Sequence, residues 1–114
     1  MARILLVEDH PDVRLLLQHV LLGAGYAADV AETLAQAHAL LGSASYELVI
    51  TDIRLPDGSG IEIADAAKAM GTKTILTTGF AFQGSDEIRR HEYLLKPVRP
   101  SELLLTLRRL VGEV

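Results

Sequence analysis

Short apolar runs alternate with longer stretches of helical spacing along this chain, and that alternation most narrows the folds open to it. The runs stand at "RILLV" (3–7), "ELVI" (47–50), "TILTT" (74–78) and "YLL" (93–95), with a weaker one at "YAADV" (26–30). In the first intervening stretch Val13, Leu16, Leu17, Val20, Leu21 and Ala24 recur at helical intervals. Pro11 suits its first turn, and Gly23 and Gly25 end it. The second, Thr33 to Leu41, has Thr33 as an N-cap and stops at Gly42; the third runs from Gly60 to Met70 and stops at Gly71. In the last, "RPSELLLTLRRLVGEV", Ser101 can cap, and Leu103, Leu104, Leu107, Leu110 and Val111 share one apolar face. Strand and helix in alternation predict βαβ units: an α/β fold with a parallel sheet and helices on both faces. The strongest runs are solidly apolar, as strands covered on both faces are. The second run, with Ala27, Ala28 and Asp29, reads as an edge strand. Five strands and five helices are expected.

The fourth of those helices is the weakest. Its only helix-like segment is "SDEIRRH" (85–91), with Ile88 as its single strong apolar anchor. Two turns are too few to hold a helix in water without tertiary packing. The preceding "FAFQGSDE" (80–87) places Phe80 and Phe82 where they could pack over the sheet edge or meet a partner.

At 114 residues there is room for one domain, expected over 1–114, with a core that needs no staples. The chain has no cysteine, which excludes disulfides and thiolate metal sites. The apolar run in "MARILLVED" is too short for a signal sequence or a membrane span. A net charge of −4, with the late basic residues spread over different elements, disfavours direct nucleic-acid binding. A cytoplasmic protein without membrane association is the expectation.

In open α/β sheets, ligands bind outside the carboxyl ends of the strands. The first run ends in Glu8 and Asp9, the third in Asp52, the fourth in Thr78 and the fifth in Lys96. Each has an ordinary explanation alone, since aspartates open turns and threonine favours strands. Together, at matching ends of successive strands, they place three carboxylates, a hydroxyl and an ammonium on one rim. That rim is the candidate site.

The segments "LLVEDHPDVR" (5–14), "DIRLPDGSG" (52–60), "TTG" (77–79) and "YLLKP" (93–97), in this order and spacing, resemble the receiver domains of two-component response regulators. The resemblance covers the whole chain. It implies a doubly wound, flavodoxin-like five-stranded sheet with strand order 2-1-3-4-5. It also implies that Asp52 accepts a phosphoryl group, that Glu8 and Asp9 form the acidic pair of a metal site, and that Thr78 bonds the phosphoryl group. Tyr93 would be the switch aromatic, Lys96 the phosphate-binding ammonium, and Lys96-Pro97 a cis peptide. The donor implied is a histidine kinase or phosphotransfer protein, and the output an unknown protein partner. "TTGF" is similar to a variant ending of the fourth strand in some single-domain receivers, whose fourth helix is short or irregular.

The chemistry suits that resemblance. Three clustered carboxylates repel one another unless a cation compensates. Mg²⁺, or Mn²⁺ in its place, prefers oxygen ligands, with Asp9 and Asp52 direct, a backbone carbonyl near Arg54, and Glu8 through water. Such an ion offsets charge as Asp52 attacks in line, with Lys96 on the equatorial oxygens. The large cationic side chain of Arg54 could contact or shield the phosphoryl group. Pro56, Gly58 and Gly60 read as the turn that starts the third helix, and Asp57 as a turn or cap carboxylate rather than a further ligand. His10, His19, His38 and His91 show no ligand-like spacing, three of them falling in helical stretches; His10, beside the acidic pair, could tune the pocket's pH response.

Two rival functions differ in kind. A metal-dependent phosphatase or toprim-like enzyme would use the same acids, but usually wants an Asp-x-Asp pair, and "DIR" lacks the second aspartate. A receiver used purely for docking would not need the intact acidic set. The chain is therefore expected to be no turnover enzyme, catalysing only its own phosphorylation and dephosphorylation. Nothing after Val114 offers an output domain, so a stand-alone receiver is expected, with a piece of a larger regulator or hybrid kinase as the alternative.

Overall fold

In the computed structural model of the chain, which describes residues 2–79 and 91–112, Ile4 to Val7 are all buried although strand neighbours point to opposite faces. Ile4 and Leu6 join one core cluster, with Leu17 and Leu21 on one side and Leu103 and Leu107 beside them. Leu5 and Val7 join another, with Ala37, Leu41, Ile63 and Ala67. Two cores on opposite faces of one strand require helices on both faces. Each fully buried leucine or isoleucine adds about 1.5–3 kcal/mol, so neither face can be left uncovered.

In chain order the described elements are β1 (Arg3–Val7), α1 (Pro11–Gly23), β2 (Ala27–Ala31), α2 (Leu34–Ser43), β3 (Leu48–Asp52), β4 (Arg54–Leu55), β5 (Gly58–Ser59), α3 (Gly60–Ala69), β6 (Lys73–Thr78), β7 (Glu92–Leu95) and α4 (Pro100–Val111). The sheet runs β2-β1-β3-β6-β7, every pairing parallel. Setting aside the antiparallel pair β4–β5, the five long strands follow the expected order 2-1-3-4-5. β3 is buried along its whole length, whereas β2, an edge strand, buries only Ala31.

Pro11 occupies the first turn of α1, and the Thr33 hydroxyl accepts from the Gln36 N–H at 3.1 Å to cap α2. Several local expectations need correction. α4 starts at Pro100 with Arg99 at the N-cap, so Ser101 lies inside the helix. Proline already supplies the helical φ there and has no N–H to cap. Gly42 lies within the last turn of α2, which runs on to Ser43. Leu16 stays 51% exposed, because the apolar stripe of α1 is wider than the surface that covers it. His91 belongs to no helix; it is buried just before β7. The rest of the segment expected to be helical at 85–91, with Phe80 and Phe82 before it, lies outside the described residues. No described helix is long and apolar enough to cross a membrane.

Candidate functional site

Parallel pairing sets the site. Asp52 ends β3 level with Thr77, and Thr78 ends β6 level with Leu95, so Lys96 follows directly. The Lys96 N–H donates to the Thr78 carbonyl at 2.8 Å, and the Lys96-Pro97 peptide is cis, as expected. The lysine ammonium then donates to Asp52 Oδ2 at 2.7 Å and lies 3.6 Å from Glu8 Oε2. Glu8 and Asp52 are both buried, so these are strongly coupled charges. Burial alone would lower the proton affinity of Lys96 and is the largest single influence. The Asp52 hydrogen bond and charge, with Glu8 behind them, nevertheless hold its pKa above the ordinary lysine value.

Asp52 owes its position to a close approach beneath it. A Cβ on Gly60 would lie 1.8 Å from the Asp52 carbonyl oxygen and 2.6 Å from Thr51 Oγ1. Gly60 therefore serves contact rather than the turn conformation expected of it; its φ is not positive, whereas that of Gly58 is 155°. Its N–H donates to the Ile53 carbonyl at 2.7 Å, and Ser59 caps α3 through the Ile61 N–H at 3.2 Å. Asp57 proves to be a cap, but of another helix. Its carboxylate accepts from the N–H groups of Leu34 at 2.7 Å and Ala35 at 2.9 Å, tying the loop after Asp52 to the start of α2. Those two bonds, Leu34 first, hold the Asp57 pKa below the usual carboxylate value.

Asp9, Asp52, Arg54, Thr78 and Lys96 line one cleft of about 430 Å³. Thr78 is buried, and its hydroxyl donates to the Gly79 carbonyl at 3.0 Å. The Arg54 N–H lies 3.4 Å from Asp52 Oδ1. Tyr93, level with Leu76 on the edge strand, is 38% exposed and does not line that cleft.

Glu8, Asp9, Asp52 and also His10 each place one potential ligand atom within 4.8 Å of the others, a set that could hold a metal ion. Asp9 Oδ1 is buried and, among the described residues, has no hydrogen-bond partner; it lies 3.3 Å from His10 Nδ1 without the geometry of a bond. A buried carboxylate oxygen with no partner is costly, and a hard cation is the ligand that would relieve it. The acidic residues thus fit a divalent ion. Arg14 was not legible in the motif as a contributor, whereas His10 was marked by its place beside the acidic pair. Arg14 donates to the Glu8 carbonyl at 3.1 Å and pairs with Glu32 at 3.0 Å, bracing the acidic loop. His10 approaches the acids despite its lack of ligand-like spacing, and its adjacency in "EDH" was the available signal.

The model of the response regulator receiver domain matches residues 4–108. The chain belongs to this family. Among curated relatives, the receiver is 36% identical to the response regulator receiver protein CpdR of Brucella abortus, over 91% of this chain and 92% of CpdR. It is 33% identical to the transcriptional regulatory protein AruR of Pseudomonas aeruginosa, over 98% of this chain but 50% of AruR. The chain thus spans nearly all of one relative and half of the other. Among solved structures it resembles TrrA of Thermotoga maritima, determined with Mg²⁺ and BeF, with a TM-score of 0.90 and 35% identity over 97% of this chain and 100% of that one. TrrA has also been determined in complex with the histidine kinase ThkA. The receiver fold and the two-component class read from the sequence are borne out.

Proposed function

We propose that this receiver takes a phosphoryl group from a histidine kinase or phosphotransfer protein onto Asp52, in a Mg²⁺-dependent reaction, and passes the signal to a protein partner by a change of conformation. The observation that carries this reading is the Lys96 ammonium at 2.7 Å from the buried Asp52 carboxylate, inside an acidic set in which one oxygen has no hydrogen-bond partner among the described residues. The phosphoryl group suits such a pocket because its oxygens can take the donors that Asp52 now takes.

A carboxylate oxygen of Asp52 attacks phosphorus; the P–N bond of the phosphohistidine donor breaks, and its electron pair returns to the leaving imidazole. Lys96 moves its hydrogen bond from the carboxylate to a phosphoryl oxygen, keeping its charge beside the new one. Thr78, which now donates to the Gly79 carbonyl, turns its hydroxyl to the phosphoryl group, and Tyr93 on the neighbouring strand reports the change. Glu8, Asp9 and Asp52, with the Arg54 backbone carbonyl, would hold the Mg²⁺, or Mn²⁺ in its place. When bound, the ion offsets negative charge on the phosphoryl oxygens. The protein catalyses only its own phosphorylation and dephosphorylation and acts in the cytoplasm as one receiver domain over residues 1–114. TrrA, solved with Mg²⁺ and BeF and with ThkA, supports both the ion and the donor class.

Intact-mass spectrometry after acetyl phosphate treatment with Mg²⁺ tests the reading. A single adduct of roughly 80 Da is expected, absent in EDTA and in Asp52→Asn. Turnover of an added phosphate ester without an adduct would favour the metal-dependent phosphatase instead.

A further inference from the structure

The receiver reading assigns its metal an all-oxygen set, yet a histidine stands inside this one. His10 Nδ1 lies 3.2 Å from Glu8 Oε1 and 3.3 Å from Asp9 Oδ1, and a ring nitrogen falls within 4.8 Å of ligand atoms from Glu8, Asp9 and Asp52. A carboxylate can only accept, so without a metal ion Nδ1 holds a proton towards Glu8; an ion among the acids would take the Nδ1 lone pair instead, with the ring proton moved to Nε2. The ring is also free to adjust. His10 forms the N-cap of α1 without a side-chain capping bond, and its side chain is 68% exposed. Its backbone N–H is meanwhile tied to Glu8 Oε1 at 3.2 Å, which keeps the residue at the rim.

Resting on the metal-site reading above, we propose that His10 is a nitrogen ligand that tilts this site from Mg²⁺ towards divalent first-row transition ions. Mg²⁺ prefers oxygen and gives up its waters reluctantly, so it gains little from an imidazole. Manganese, cobalt and zinc ions accept imidazole, and for mixed nitrogen and oxygen sets affinity rises along that series to nickel and copper. A nitrogen donor in the set is therefore a selectivity device. The other basic groups at the cleft do not compete for the role, because Lys96 is protonated with its pKa raised and guanidinium nitrogens have no lone pair to give.

Mn²⁺ alone, added to the full chain, tests this. Pulsed electron paramagnetic resonance of the Mn²⁺-bound protein should show strong nitrogen coupling that changes when histidine is labelled with ¹⁵N. The coupling should disappear in His10→Asn. Titration calorimetry should show Mn²⁺ affinity falling by about tenfold in that variant, with Mg²⁺ affinity changed by less than about twofold. Mn²⁺ bound with an affinity that Asp9→Asn lowers, but without histidine coupling, would overturn the proposal and leave the acidic metal site standing. Equal loss of both ions in His10→Asn would also overturn it, since a merely structural role predicts that result. No Mn²⁺ or Mg²⁺ binding in the wild type would overturn the metal-site reading itself.

Discussion

Two polar clusters sit at opposite ends of the same sheet, and they are built on opposite rules. At the amino end, His91 is buried with both ring nitrogens occupied: Nδ1 meets Thr74 Oγ1 at 2.6 Å and Nε2 meets Asp65 Oδ1 at 2.7 Å. That cluster joins α3, β6 and the start of β7, and a satisfied network of this kind stiffens what it joins. At the carboxyl end, Glu8, Asp9 and Asp52 face the ammonium of Lys96, and among the described residues Asp9 Oδ1 has no hydrogen-bond partner. One cluster is complete as it stands. The other leaves a buried acceptor open, and this incompleteness separates a site from a brace.

The contrast predicts opposite signs for similar changes, and the largest effect comes from beneath the site. Gly60→Ala would drive a methyl into the Asp52 carbonyl, so the loss should reach about 3 kcal/mol or more in urea unfolding. A loss below about 1 kcal/mol would show that Asp52 is not seated on Gly60 as described. At the amino end, His91→Ala should cost about 2–3 kcal/mol, because it opens a hole and removes the ring that Thr74 and Asp65 bond. At the carboxyl end, Asp9→Asn should instead gain about 1 kcal/mol in EDTA by relieving like-charge crowding, while weakening Mg²⁺ binding. Equal destabilisation by the two changes would erase the distinction between brace and site.

The smallest effect is on the alkaline limb of stability. A lysine whose folded pKa lies above its unfolded value binds its proton more tightly when folded. The contribution of Lys96 is therefore complete below about pH 10.5 and is lost as pH rises through the folded value. Tyr46 titrates nearby: burial first, then its hydrogen bond to Asp29, pushes its hydroxyl from 10.0 up to about 12, so its contribution also fades between those values. Lys96→Met in a Tyr46→Phe background should flatten the limb seen in Tyr46→Phe alone. An unchanged slope would mean that the Lys96 pair adds no pH-dependent stability. Asp57 marks the acid side. Its folded pKa is lowered, so its capping of α2 is present above about pH 3.8 and is lost as pH falls through the folded value.

Much of this was legible because burial on both faces leaves solid apolar runs, and the sheet followed from them. Glu8, Asp9, Asp52, Thr78 and Lys96 stood out for the same reason: each interrupts such a run at its carboxyl end. Tertiary approach was not legible. Asp57 looked like a local turn former, and only the fold brings it to the start of α2, 23 residues earlier in the chain. Gly60 looked like a turn residue because a sequence does not reveal how near a carbonyl will pass. His91 seemed helical by its neighbours, although its partners Asp65 and Thr74 come from other elements. Leu16 fitted the helical stripe of α1, but periodicity cannot say how much of a stripe will be covered.

The account rests most directly on Asp52 as the acceptor. Acetyl phosphate labelling with Mg²⁺, followed by borohydride reduction and peptide mass spectrometry, would locate the acyl phosphate, because reduction converts a phosphorylated aspartate to homoserine. Homoserine at position 52 alone is the expected result. Homoserine at position 9 or 57, or a stable phosphoester on Thr78 with position 52 unmodified, would contradict it.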